Sequence, residues 1–279
     1  MPPNPPQQLP PAGSRASARL SRDNAAKFAL SFTLFACIVF FAMFVHAISV
    51  GGVVPPSENS TIGPSFCHLI ELGAKYTPAI IRRGQDFRIL SSTFLHSGVV
   101  SFLVTLALQA SIMFPFELEH GKLLTAFLFI LCSLCGNGFS MVGTPLQVST
   151  GPLSGILGLV GFSVTCQMLN PVTYHKISAR EVFSIIAVVL LGQTPFVDNY
   201  AALAGFSMGS FWAGVFYADR VQESETPFLR YLVMAVSLVS AMFILFICFF
   251  LSFGSSYRSV DQLMVNQVCN EFQDPVPFF

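Results

Sequence analysis

The chain has 279 residues, of which 53% are hydrophobic and only 10% are charged, and its formal net charge is zero. Soluble domains typically carry about 25% charged residues, so this chain lacks the charge to cover a water-facing surface. A neutral chain is also a poor binder of nucleic acid. With a mean hydropathy of +0.66, the composition predicts an all-α polytopic membrane protein.

Seven apolar runs are long enough, or nearly so, to cross a hydrocarbon core that needs roughly 20 residues. They are Phe28–Val50, Val99–Phe116, Leu123–Val142, Ser149–Leu169, Val182–Val197, Tyr200–Ala218 and Tyr231–Phe253. The first and last are uniformly apolar, whereas the middle five contain Gly, Ser, Thr and Cys, which let helices approach closely. We therefore expect the middle five to pack inside a bundle and the outer two to face lipid.

The distribution of charge predicts an orientation. Residues 1–27 are rich in Pro, Ser, Ala and Arg, which predicts a disordered segment, and the first apolar run is too long and too late for a cleavable signal. Threading seven spans places nine of the fourteen Lys and Arg on the side of the amino terminus. By the positive-inside rule that side is cytosolic. The membrane domain would then cover 28–253, with the loop Gly51–Gly98 and the tail 254–279 lumenal or extracellular.

Two features of the lumenal segments carry further predictions. Asn59-Ser60-Thr61 is an N-glycosylation sequon in the first loop, where a glycan would be expected. Cys67 and Cys269 both fall on the side where disulfides persist, and we hypothesise that they pair. Cys132 and Cys135 form a CxxC inside an apolar run, which favours packing over redox or zinc chemistry. We expect neither metal nor cofactor.

Short motifs follow one another in order between Leu72 and Ala218. They are Phe87-Arg88 before Phe94-Leu95-His96-Ser97-Gly98, then Glu117 with Gly121, Gly136-Asn137, the segment Gly151–Gly158, and Val197-Asp198-Asn199-Tyr200-Ala201 with Gly205 and Gly209. Together they resemble the rhomboid family of intramembrane serine proteases. The resemblance implies a rhomboid-like core of six helices, here with one additional helix at the carboxyl end. It covers residues 72–218, and a protein of this kind would reside in eukaryotic endomembranes (endoplasmic reticulum or Golgi) or the plasma membrane.

The resemblance also implies where catalysis would take place. Rhomboids use a Ser–His dyad, in which the imidazole on the sixth helix takes the proton of the attacking hydroxyl. Aligned without gaps on the family's Gly-x-Ser-Gly motif, Gly151-Pro152 leads to Leu153 at the nucleophile position. The base position holds Ala202. Two positions on the second helix that help stabilise the oxyanion in active members hold Ser101 and Thr105.

Ser154 is the fallback nucleophile, because a one-residue gap lets Leu153-Ser154-Gly155 imitate the motif. On a helix this shift turns the hydroxyl by about 100°. The predicted sixth helix contains no histidine, so Ser154 would have no base there. The alternative interpretation is that Ser154 is only a small residue at a contact between two helices. Gly151, Gly155, Gly158 and Gly161 on the fourth helix, with Gly205, Gly209 and Gly214 on the sixth, predict such a contact.

We therefore expect a non-proteolytic rhomboid-like protein that binds single-pass transmembrane clients, besides lipid, and affects their trafficking or degradation. Gly151-Pro152 resembles the inactive rhomboids called iRhoms, although this chain has no comparably long first loop. The enzyme alternative is an intramembrane serine endopeptidase that uses Ser154 with a non-standard base. A receptor or transporter is disfavoured, since no Asp, Glu, Lys or Arg lies deep in a predicted span. The oligomeric state is left open.

Overall fold

A computed structural model of the chain describes residues 31–169, 179–194 and 196–217, together with Tyr231 and Ala235. Within these ranges the regular secondary structure is helical, and the only β-type pairing is one isolated bridge between Lys75 and Ser149. The helices are α1 (Phe32–Gly51), α2 (Phe66–Glu71), α3 (Thr77–Arg83), α4 (Arg88–Phe94), α5 (Val99–His120), α6 (Lys122–Gly143), α7 (Leu153–Leu169), α8 (Ala179–Leu191) and α9 (Asn199–Tyr217).

Three helices in the described ranges are long and apolar enough to cross a membrane, namely α1, α5 and α6, and α7 is a shorter apolar helix. The predicted all-α polytopic membrane fold is therefore confirmed. The run Tyr231–Phe253, predicted as the seventh span, lies outside the described residues apart from Tyr231 and Ala235. The predicted amino-terminal segment 1–27 and the tail 254–279 lie outside them as well.

Helix α1 is the least buried of the three long apolar helices, in agreement with the predicted outer position. Only 17% of its most apolar window is buried, compared with 44% in α5 and α6. Its exposed side carries Phe35, Ile38 and Phe41. Ser31 caps its amino end by accepting a hydrogen bond from the Leu34 amide at 3.0 Å, which satisfies one of the unpaired donors of the first turn.

Helix α7 is the centre of the bundle. Of its 17 residues only Ser163, Gln167 and Met168 are not buried, as expected of a helix that is apolar on every side. It begins at Leu153 rather than at the predicted Ser149, because Ser149 is paired with Lys75 and Gly151 has a φ of 110°. Pro152 then fits immediately before the first turn, where a missing amide proton does no harm.

Helix α5 is interrupted by a π-helical turn at Gln109–Met113. Gln109 is fully buried there, and its Oε1 accepts a hydrogen bond from the Cys37 thiol of α1 at 3.1 Å.

Helix α8 is shorter than the predicted run Val182–Val197. It begins at Ala179 and ends at Leu191, where Gly192 packs against the side chain of Asn199.

Residues 52–98 form the first loop. This loop covers one end of the helix bundle, which we call the loop end. The loop docks on the start of α5, because the amides of Val99 and Val100 donate to the carbonyl oxygens of Ile62 and Thr61 at 3.0 and 3.1 Å. Gly63 and Gly98 permit this contact, since a Cβ on either would overlap the backbone of the other segment.

Candidate functional site

The site predicted from the motifs lies where α6, α7 and α9 cross. A Cβ on Gly209 would overlap the Gly158 carbonyl group, and one on Gly205 would overlap that of Ser154. On α6, a Cβ on Gly136 would lie 2.5 Å from both the Ser154 Cβ and the Ala201 carbonyl oxygen. Small residues thus bring three backbones together around Ser154, as the glycine pattern predicts for α7 and α9.

The two residues predicted to stand at the dyad positions are apolar side chains inside the core. Leu153 is 4% exposed and Ala202 is 2% exposed, and both belong to the same buried hydrophobic cluster. Neither side chain can attack a carbonyl group or accept a proton. The positions that would carry catalysis therefore contribute packing instead.

Ser154 is buried at the crossing, with 2% of its surface exposed. Its hydroxyl has no hydrogen-bond partner in the described part of the chain. A serine becomes an effective nucleophile only when a base lies within hydrogen-bond reach, and none of the described residues meets that condition. Ser154 therefore fits the role of a small contact residue.

The histidines are placed away from Ser154. His96 is fully buried between the rings of Phe40 and Phe102, at centroid distances of 5.2 and 5.4 Å. Burial lowers the pKa of His96 to about 3, despite an opposing contribution from the backbone of Phe94, so the ring is neutral at physiological pH.

The other described histidines are engaged or exposed. The ring of His68 lies 3.1 Å from the Ser65 hydroxyl in the first loop. His120 stacks on Phe116 near the end of α5 opposite the loop end, and His46 is exposed on α1. His175 lies outside the described residues.

The two oxyanion-equivalent positions are buried at the start of α5. The Ser101 hydroxyl lies 3.0 Å from the Ser97 hydroxyl and donates to the Gly98 carbonyl oxygen at 2.9 Å. It is therefore committed to the helix cap and the loop contact. Thr105, one turn further, is 1% exposed. The Ser101 hydroxyl is therefore not aimed at a developing charge in the way that an oxyanion hole requires.

The structural motif residues hold the bundle together. Arg88 donates to the carbonyl oxygens of Ile70 and Ala74, and its guanidinium lies 5.4 Å from the ring centroid of Phe87. Asn137 Nδ2 donates to the Ile89 carbonyl oxygen at 2.7 Å, which connects α6 to α4. Glu117 accepts from the amides of Phe32 and Thr33, and Gly121, with a φ of 86°, ends α5.

Sequence reasoning missed a buried ion pair beside the crossing. Lys75 Nζ lies 3.3 Å from Asp198 Oδ2, with both side chains shielded from solvent. Lys75 is expected from sequence to be an ordinary charge in the outer loop. Asp198 does carry a signal, because an Asp immediately before a helix is a strong capping candidate. Nothing in the sequence identifies its partner 123 residues earlier.

Burial lowers the pKa of Lys75, and the charge of Asp198 and its hydrogen bond to the ammonium oppose that shift.

Among the described residues, no group of three or more His, Cys, Asp or Glu is arranged to hold a metal ion. Cys132 and Cys135 are not disulfide-bonded. Cys67 is disulfide-bonded; Cys269 lies outside the described residues, so the pairing of these two cysteines stays a prediction.

The structure does not support glycosylation of the Asn59 sequon. The Asn59 side chain is fully buried, and Nδ2 donates to the carbonyl oxygens of Pro64 and Ser97, both at 2.8 Å. Oδ1 accepts from the Thr61 amide and hydroxyl. A glycan would replace one of the two Nδ2 hydrogens, so at least one of the donated bonds would be lost, and its bulk would push the loop away from α5.

We therefore expect Asn59 to be unmodified in the folded protein isolated from eukaryotic membranes. Endoglycosidase treatment should leave both the electrophoretic mobility and the intact mass unchanged. The matched control is a sequon at exposed positions of the same loop, made by Gly84→Asn with Asp86→Thr. Asn tolerates the left-handed backbone of Gly84 (φ 64°). A glycan on the control but not on Asn59 is the expected pattern, and a glycan on Asn59 itself would contradict it.

Comparison with known proteins agrees with this geometry. The rhomboid domain family matches residues 83–219. RHOMBOID-like protein 7 of Arabidopsis thaliana is 29% identical over 160 residues, which cover 56% of this chain and 51% of that protein. Inactive RHOMBOID-like protein 8 of the same plant is 30% identical over 153 residues, which cover 54% of this chain and 44% of that protein.

A mammalian relative is similar over a shorter part of its length. Inactive rhomboid protein 1 of Papio anubis is 29% identical over 139 residues, which cover 47% of this chain and 16% of that protein. The chain thus spans about half the length, or less, of these relatives. The matched residues contain α5 to α9 and the crossing around Ser154. Residues 83–219 of this chain therefore match the rhomboid domain, and this match together with the apolar helices indicates a multi-pass membrane protein.

Proposed function

We propose that this chain is a non-proteolytic rhomboid-like protein that binds the transmembrane helices of single-pass client proteins and affects their trafficking or degradation. The observation that carries the proposal is the filling of both dyad positions by buried apolar side chains, Leu153 and Ala202. The scaffold around them is retained. Two of the relatives named above are called inactive, which supports the same reading of this chain.

The chemical argument against proteolysis rests on the base. Ser154 still offers a hydroxyl at the crossing, but without a base it stays a weak nucleophile. Its burial excludes the water that hydrolysis would need. The argument for client binding rests on the scaffold, since a bundle with exposed apolar residues such as Phe183 and Leu190 of α8 can contact another helix within the bilayer.

The orientation and the compartment belong to the same proposal. A cytosolic amino terminus and a lumenal first loop agree with the distribution of basic residues. A protein of the endoplasmic reticulum, Golgi or plasma membrane would meet clients as they pass through those membranes.

The test uses the full-length protein in proteoliposomes with a fluorescent single-pass helix as the probe. Energy transfer between labelled protein and labelled helix should saturate and be competed by unlabelled helix. The mass of the helix should remain intact after prolonged incubation. Ser154→Ala should behave as the parent protein in both measurements.

Two outcomes would contradict the proposal in different ways. Cleavage of the probe that disappears in Ser154→Ala would establish the alternative function, an intramembrane serine endopeptidase. Absence of saturable binding to several single-pass helices, with no cleavage, would remove the client-binding role and leave only an inactive scaffold.

A further inference from the structure

A buried polar cluster joins the first loop to α6 and α9 at the loop end. Lys75 Nζ lies 3.3 Å from Asp198 Oδ2 and 3.3 Å from the Thr144 carbonyl oxygen. It also donates to the Ser140 hydroxyl. Asp198 Oδ2 in turn accepts from the hydroxyls of Ser140 and Thr144. Buried charges are tolerated only when such bonds satisfy their remaining donors and lone pairs.

Each charge of this pair is anchored to a different part of the fold. Asp198 Oδ1 accepts from the amides of Tyr200 and Ala201 at 2.8 and 3.3 Å, so the carboxylate also caps α9 and faces its positive dipole end. The backbone of Lys75 is bridged to Ser149, with both amides donating to the opposite carbonyl oxygen. One ion pair thus connects the loop, the start of α9 and the segment that leads into α7.

The pair lies about one helical turn from Ser154. Gly136 of α6 contacts Ser154 and Ala201, and Ser140 follows Gly136 by four residues, which is a rise of about 6 Å along the helix. Asp198 precedes Ala201 by three residues on the same side. The cluster therefore lies between Ser154 and the loop end of the bundle.

The cluster does not have the properties of a second catalytic site. A serine beside a lysine can act as a nucleophile and base, but the Ser140 hydroxyl donates to Asp198 and the whole residue is inaccessible. The lysine is likewise occupied on several sides. These bonds fix positions rather than prepare a reaction.

We propose that the Lys75–Asp198 ion pair is a latch that holds the first loop closed over the crossing of α6, α7 and α9 and shields Ser154 from water. The closure keeps the remnant of the protease centre sealed from the loop end. This inference does not depend on client binding, because it concerns only access to Ser154.

The test introduces Ser154→Cys as a reporter in the full-length protein and measures its rate of reaction with a small water-soluble maleimide. With the latch intact, the new thiol should react very slowly. Adding Lys75→Met, or Asp198→Asn, should raise the rate by about tenfold or more, because labelling follows the population of the locally open form. Asp198→Asn retains an oxygen that can cap α9, so it removes the charge with little damage to the helix.

Two controls separate opening from general loosening. The same latch variants with Ser154 unchanged give the background from the native cysteines. Glu117→Gln in the reporter protein weakens a buried carboxylate contact at the opposite end of the bundle, and it should leave the labelling rate close to that of the latched reporter. A rate raised equally by Glu117→Gln, a fast rate with the latch intact, or unchanged rates in both latch variants would each overturn the proposal.

Discussion

Replacing Glu117 by alanine is expected to lower the free energy of unfolding by about 3 to 5 kcal/mol, because it leaves buried hydrogen-bond donors without an acceptor. The carboxylate accepts from the amides of Phe32 and Thr33 at 2.7 and 2.8 Å, and from the Thr33 hydroxyl at 2.6 Å. These bonds satisfy the amino end of α1, and in apolar surroundings no water replaces them. Unfolding by a denaturing detergent, followed by circular dichroism, measures the loss.

The control for this prediction lies two residues away. Glu119 is on the same helix, but its side chain is 52% exposed and its 3.6 Å ion pair is with Arg180, which is 40% exposed. Exposed pairs contribute at most about 1 kcal/mol, so Glu119→Ala should have little effect. Glu117→Gln should fall between the two, since an amide supplies only one acceptor oxygen. Equal losses in Glu117→Ala and Glu119→Ala would contradict the capping role.

Gly209→Ala is expected to destabilise the bundle by about 3 kcal/mol or more, the upper range for overpacking in a core. The added Cβ would lie 2.6 Å from the carbonyl carbon of Gly158 and 2.9 Å from its Cα. Both are backbone atoms that cannot rotate away, so α7 and α9 would have to separate. Thermal unfolding in detergent micelles should show a lower midpoint and a smaller yield of monodisperse protein.

Ser207→Ala is the matched control on the same helix. The Ser207 hydroxyl donates to the Leu203 carbonyl oxygen of its own helix in an exposed hydrogen bond of 3.1 Å, so its loss should change the unfolding midpoint little. A midpoint for Gly209→Ala that equals that of Ser207→Ala would show that the two helices do not meet through glycine.

Much of the fold follows from local properties of the sequence. The apolar runs predict α5 as Val99–Phe116 and α6 as Leu123–Val142, and the helices extend only to His120 and Gly143, because hydrophobicity and helix-ending glycines are local signals. The prediction is less accurate for α8. Its predicted run ends at Val197, but the helix ends at Leu191 and the chain turns at Gly192 to bring Asp198 to the start of α9.

The residue types at the predicted dyad positions can also be read from the local sequence. The motifs predict that Leu153 and Ala202 stand where a serine and a histidine would be, and the structure buries both. The environment of Ser154 is different, because its lack of a base depends on where the histidines fold. The ring of His96 packs against Phe40 of α1 and Phe102 of α5, and the Ser154 hydroxyl has no hydrogen-bond partner in the described part of the chain.

The sequence by itself predicted a helical membrane protein that resembles the rhomboids and carries apolar residues where their dyad would lie, since composition and motif identity need no partner. Only the tertiary structure decided the burial and the bonding partners of Lys75 and Asn59. Both look exposed and hydrophilic in the sequence, yet Lys75 pairs with Asp198 and Asn59 binds the backbone around Ser97. A polar side chain can be buried when distant residues satisfy its hydrogen bonds, and the pairing of distant residues is set by packing rather than by local pattern.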